Sequence, residues 1–171
     1  MRRSAHLSAT LLCAAALSLA ACGSETSGEF TTDDGETGEY TIDNDSGEAS
    51  MTVTTPEGDV TMRSGASVPV DLPAGFTMID GANIVSNTVI NQNGTKGALV
   101  TFNSDKSPDE IFDFYREQAE AAGVTIQIET KMNGGGMIGG ENDESGLTLS
   151  VTAYPGDEGT IGQLTIGEDP G

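Results

Sequence analysis

The chain has 171 residues, 27 acidic against 7 basic, and a formal charge of −20 at neutral pH. Such a surface repels phosphate backbones and anionic headgroups, which argues against nucleic-acid binding and against a polybasic membrane patch. The acids are first of all a solubilising surface, with at most a weak pull on cations or basic partners.

Arg2 and Arg3 form a short basic start, and residues 7–21 are then almost purely Ala, Leu, Ser and Thr. This is a secretory apolar region, too short for a permanent membrane span. It ends in Leu19-Ala20-Ala21-Cys22. That order resembles the lipobox of bacterial lipoproteins. The resemblance implies cleavage after residue 21 and a palmitate-type lipid anchor on Cys22, which becomes the first residue of the mature chain. Two acyl chains suffice for stable anchoring. The expected location is the cell envelope, with the outer membrane favoured where the cell has two membranes, because Gly23 carries no aspartate-type retention cue. Cleavage removes Cys13 and His6, the only histidine, and takes the charge to −22. A mature chain of this kind has no free thiol, no internal disulfide and no imidazole.

Residues 23–38 (GSETSGEFTTDDGETG) are polar, acidic and glycine-rich, and read as a disordered tether with a root-mean-square span of about 20–25 Å. The domain plan is therefore a signal peptide over 1–21, a lipidated cysteine with its tether over 22–38, and one head domain over 39–168. Within the head, Tyr40 and Ile42, Met51 and Val53, and Val60 and Met62 alternate with polar residues. This is the pattern of three short strands joined by NDSG and PEGD turns. Pro69 and Pro73 make residues 68–76 an edge or loop segment. Residues 83–90 and 97–102 flank NQNGTK, a hairpin centred on Asn93-Gly94.

SPDEIFDFYREQAEAAG is the clearest element. Ser107 serves as N-cap, Pro108 as first helical residue, Glu110 as the capping-box partner and Gly123 as terminator. Ile111, Phe112, Tyr115 and Ala119 form the buried stripe, and Arg116 stands among acids with Asp113 and Glu120 in reach. Phe114, off the stripe, is expected to be more exposed. Two further strands, VTIQIETK and LTLSVTAY, are read as joined by a long, flexible, glycine-rich loop over 134–140, and a last strand lies near Ile161 to Ile166. The expected fold class is α+β: about seven to eight short strands in a mainly antiparallel sheet, with one helix over about 108–122 packed on it. The stretch from Pro69 to Gly123, with its Phe114-Tyr115-Arg116, is similar to small bacterial envelope lipoproteins, a likeness that transfers no site residue.

Few motifs in the chain point to chemistry. Residues 134–139 match G-x-G-x-x-G but are followed by GENDE and a strand, with no helix N-terminus to hold a phosphate. No nucleotide is therefore expected. Asp43-Asn44-Asp45-Ser46-Gly47-Glu48 departs from calcium-loop order and reads as a turn. Zinc lacks its usual ligands, nucleophile–imidazole pairs are impossible after processing, and no Ser-x-x-Lys occurs. No catalytic, cofactor or metal residue is assigned, and the one modification site is Cys22. The expected function is a non-catalytic, membrane-anchored protein-interaction or envelope-assembly module with an envelope protein as partner. The alternative is a small-molecule or lipid-binding module with a pocket between helix and sheet.

Overall fold

The computed structural model describes residues 25–33, 35–56, 58–92 and 95–168. They form strands β1 (Glu25–Thr31), β2 (Thr37–Asp43), β3 (Glu48–Thr55), β4 (Gly58–Gly65), β5 (Asn83–Gln92) and β6 (Thr95–Ser104). Helix α1 (Pro108–Ala121) follows, and then β7 (Thr125–Met132), β8 (Gly135–Asn142), β9 (Leu147–Gly156) and β10 (Gly159–Glu168). All ten strands join one antiparallel sheet in the order β1-β2-β3-β4-β5-β6-β10-β9-β8-β7. Six strands run as a meander. The helix then carries the chain to the far edge, and a second meander returns until β10 pairs with β6. No described helix is long and apolar enough to cross a membrane.

The α+β class is as expected, with ten strands in place of seven to eight, and the two added strands lie where composition argued against them. Residues 25–31, read as tether, form β1 against β2. Two aromatic–glycine pairs make this possible. Phe30 lies over Gly38 and Tyr40 over Gly28, so closely that a Cβ on either glycine would strike the ring. Of the residues read as a flexible loop over 134–140, all but Gly134 enter β8, seated between β7 and β9. Their glycines reflect crowding: a Cβ at Gly136 or Gly140 would strike the backbone carbonyl of Thr130 or Thr125 on β7. The turn at Asn93-Gly94 lies outside the described residues, and Gln92 pairs with Thr95 on either side of it.

Helix α1 begins as its sequence dictates. Ser107 Oγ accepts from the Glu110 amide at 3.3 Å, and the Ser107 amide donates to Glu110 Oε2 at 2.9 Å. That bond to the Ser107 amide is the main reason the Glu110 carboxyl is held below its ordinary range. Gly123 closes the helix in the left-handed region, at φ 72°. Ile111, Phe112, Tyr115 and Ala119 are buried on β7 to β10. Phe114 is half-buried, edge-on to Tyr115 at a centroid distance of 5.1 Å. Arg116 pairs with Asp113 at 2.6 Å and, across to β7, with Glu129 at 3.2 Å, rather than with Glu120.

Residues 66–82, with a single 3-10 turn at Pro73–Gly75, extend the cover on the same face toward β5, β6 and β10, placing Phe76 and Ile79 in the core. The proline-rich segment is thus a covering loop.

Truncating Phe112 to Ala should cost about 3–5 kcal/mol, which chemical denaturation of the folded chain would measure. Gly140→Ala should cost about 1–3 kcal/mol by forcing β7 and β8 apart. A neutral effect there would mean that β8 is the loosely held connection its composition suggests.

Candidate functional site

Two surfaces compete to be the site: the space between helix and sheet, and the sheet face that the helix leaves open. The first is packed. Val100, Phe102, Ile111, Tyr115, Val151 and Leu164 meet there with no exposed surface. Tyr115 donates to Met78 Sδ at 3.7 Å, and burial pushes its phenol up to about 12, partly opposed by a hydrogen bond with the Ile79 backbone. Asn87 on β5 is fully buried, and its Nδ2 donates to the carbonyls of Val68 and Pro69 at 3.2 and 3.0 Å. Its Oδ1 has no hydrogen-bond partner among the described residues.

The second surface follows from register. Side chains alternate between the faces of a strand, so residues directly opposite each other on paired strands share a face. Tyr40 faces Met51, Met51 faces Met62, and Met62 faces Ile90, an unbroken apolar row across β2 to β5. Beside it, Gly38, Val53 and Val60 form a second row. Ile90 stands opposite Gly97 on β6, which alternates with the buried Ala98 and Val100. The row is therefore on the side away from the helix. The main apolar face of the sheet changes sides: over β6 to β10 the buried apolar residues point at the helix, and over β1 to β4 the apolar residues point the other way. Leu99, Ile128, Met132, Tyr154 and Ile161 add exposed apolar surface to the open face of β6 to β10.

Nothing described covers these four strands. Gly38 is their only buried residue; Tyr40, Met51, Val53, Val60 and Met62 are half-buried and Ile42 is exposed, as are Ile90 on β5 and Leu99 on β6. Charge is sorted in the same sense. Among the described strand residues, Glu141 is the only charged one on the open face, where it accepts from Gln127 Nε2 at 3.0 Å. The other charged strand residues, including Glu29, Glu39, Asp59 and Arg63, stand on the helix side. In a chain of charge −20, one broad sheet face is almost free of charge.

The sequence showed each alternation but not that successive strands place their apolar residues on one common face. One signal was available. Val89-Ile90 and Leu99-Val100 are adjacent apolar pairs, and β5 and β6 are the strands where the two apolar faces overlap.

The acidic stretch from Asp43 to Glu48 forms a hairpin turn. Asp43 Oδ1 accepts from the amides of Asp45 and Ser46 at 2.9 and 3.2 Å, and Gly47 takes φ 71°. The β8–β9 turn repeats the device with Asn142, whose Oδ1 accepts from Glu144 and Ser145 at 2.9 and 3.2 Å, and with Gly146 at φ 70°. Among the described residues no group of three or more His, Cys, Asp or Glu side chains converges as a metal site would require. Cys22 lies outside the described residues.

A family model described as START domain-like matches residues 84–160, less than half of the chain. The matched stretch runs from β5 through the helix to the start of β10, leaving β1 to β4 outside it. Comparison with curated proteins and with solved structures returns no match.

The Asp43 carboxyl is held below its ordinary range, first by the Asp45 amide. Its contribution is therefore present at neutral pH and lost as the pH falls below the usual aspartate range of about 4. Asp43→Asn should keep the turn, as Asn142 does in the other hairpin, and remove that pH dependence. Asp43→Ala should speed hydrogen exchange at the Asp45 and Ser46 amides, read by NMR; unchanged exchange would mean that the turn does not depend on this side chain.

Proposed function

We propose that this chain is a non-catalytic interaction module of the bacterial cell envelope, anchored by a lipid on Cys22, and that its working surface is the open face of β1 to β6. The observation that carries this reading is the coexistence of a filled core under the helix with an apolar face that no described residue covers and that bears almost no charge. A sheet that is hydrophobic on one face must bury that face against another layer, and contiguous apolar surface beyond a few hundred Å² marks an interaction site. The lipobox resemblance adds the anchor. With β1 opening at Glu25, only three residue steps lead from Cys22 to the sheet, a reach of at most about 10 Å, which favours a head held close to the bilayer. In a two-membrane cell the outer membrane is the favoured location.

A second reading, a small-molecule or lipid-binding module with its pocket between helix and sheet, draws on the START domain-like match, which favours a ligand-binding fold, and on the unpartnered Asn87 Oδ1. The absence of exposed surface on the side chains beneath the helix weighs against it.

Two measurements test these readings. Cys22→Ser should abolish incorporation of labelled fatty acid and leave an unprocessed or soluble chain; unchanged membrane partition would remove the anchor from the proposal. Native mass spectrometry of protein released gently from its cells should show no retained small molecule. A stoichiometric ligand, lost in an Asn87→Leu variant that still folds, would move the working surface to the helix side.

A further inference from the structure

The open face needs an occupant, and its chemistry narrows the choice. We infer that the occupant is a second copy of this chain, packed open face to open face as a two-sheet sandwich. This deepens the proposed function by naming the partner of the same surface.

Charge comes first. Two chains of this net charge repel at almost any contact, because acids stand on the helix side of the sheet, on the helix and in the turns. The open face of β1 to β6 is where two copies can meet without opposing carboxylates, since the described strand residues there include no charged one. The acidic faces then point outward on both sides. A basic partner would find its attraction on those outer faces, and an anionic lipid surface would have to come close to the acids that rim the sheet.

Shape and area agree. The aromatic rings on this face lie down over glycines, Phe30 on Gly38 and Tyr40 on Gly28, leaving a smooth floor with few projections. Polar side chains on it satisfy one another, as Ser64 and Thr88 do at 2.9 Å. Six strands at about 4.8 Å spacing and about 25 Å length present about 700 Å² per copy. Two copies then bury about 1,400 Å², within the range of stable specific interfaces. Sheets of the same twist stack in alignment about 10 Å apart. A two-fold axis lying between the two sheets and running along the Met51–Met62 row would set each copy's apolar row against the other's, the self-complementary contact that a symmetric dimer requires.

The test uses the full-length chain in its own cells. Single cysteines are placed at Met51, Val53 and Met62, with Thr52→Cys and Thr61→Cys on the opposite face as controls and the wild-type chain alongside to account for Cys22. A short thiol-to-thiol crosslinker should give a product of twice the chain's mass from open-face positions and none from the controls. Adding Val60→Glu should weaken pairing by about a hundredfold or more, because each copy would bury an unpaired carboxylate. Thr61→Glu, next in the same strand but on the other face, should leave it intact, and protease resistance confirms that both variants are folded. A crosslink to a different protein overturns the second copy as occupant while leaving the interaction module standing. Open-face thiols that react with soluble maleimide only after detergent is added point to a lipid surface and likewise overturn it. Thiols that react freely in intact cells and crosslink to nothing overturn both this inference and the proposed function.

Discussion

A sheet ten strands wide has far more face than a single fourteen-residue helix can cover, and the rest of the structure follows from that shortfall. Helix α1 shields β7 to β10, and the proline-rich segment ahead of β5 extends the shield. Beyond the reach of both, β1 to β4 have no layer on the helix side among the described residues. They present Ser, Thr and charged residues there and turn their apolar residues to the other face. The reversal is the response of period-two strands to a cover that stops half-way: whichever face lacks a layer within the chain can be apolar only if something outside the chain supplies one.

That logic explains how much could be read in advance. Helix α1 was legible almost to the residue, because caps are local: Ser107, Pro108, Glu110 and Gly123 act within a few positions of themselves. The strands with clean alternation were legible for the same reason. β1 and β8 were not. β1 has one aromatic among Thr, Ser, Glu and Gly, and it holds its place through Gly28 and Gly38, whose value depends on the ring opposite. β8 is half glycine and looks like slack chain until the carbonyls of Thr125 and Thr130 are seen pressing on it. In both cases glycine marks close approach by another strand, a non-local cause that composition cannot separate from flexibility.

The open face was hidden for a related reason. Alternation tells which residues of one strand share a side, and only the register between strands tells whether those sides coincide. Tyr40, Met51, Met62 and Ile90 are spread over fifty residues and form one row only because each of three strand pairings falls where it does. A slip of one residue in any of them would send part of the row to the acidic side. The two matched turns help to fix such pairings. The same amide-accepting side chain and left-handed glycine close β2 on β3 and β8 on β9, so both meanders carry a register pin of one design.

Charge placement links fold to function more directly than any motif does. Excess carboxylates serve solubility wherever they are solvated, and nothing in solubility alone requires them to avoid one sheet face. Yet on the strands they do so almost completely, Glu141 excepted, and where an acid on the helix side has a basic neighbour the two pair, as Glu48 does with Arg63 and Glu129 with Arg116. A carboxylate on the open face would cost little in a monomer that kept that face in water. It would cost much in an assembly that buried it, because an ion without a partner loses its hydration and gains nothing in return. The near-absence of charge on that face is therefore better explained by burial of the face against another layer than by the stability of the isolated sheet.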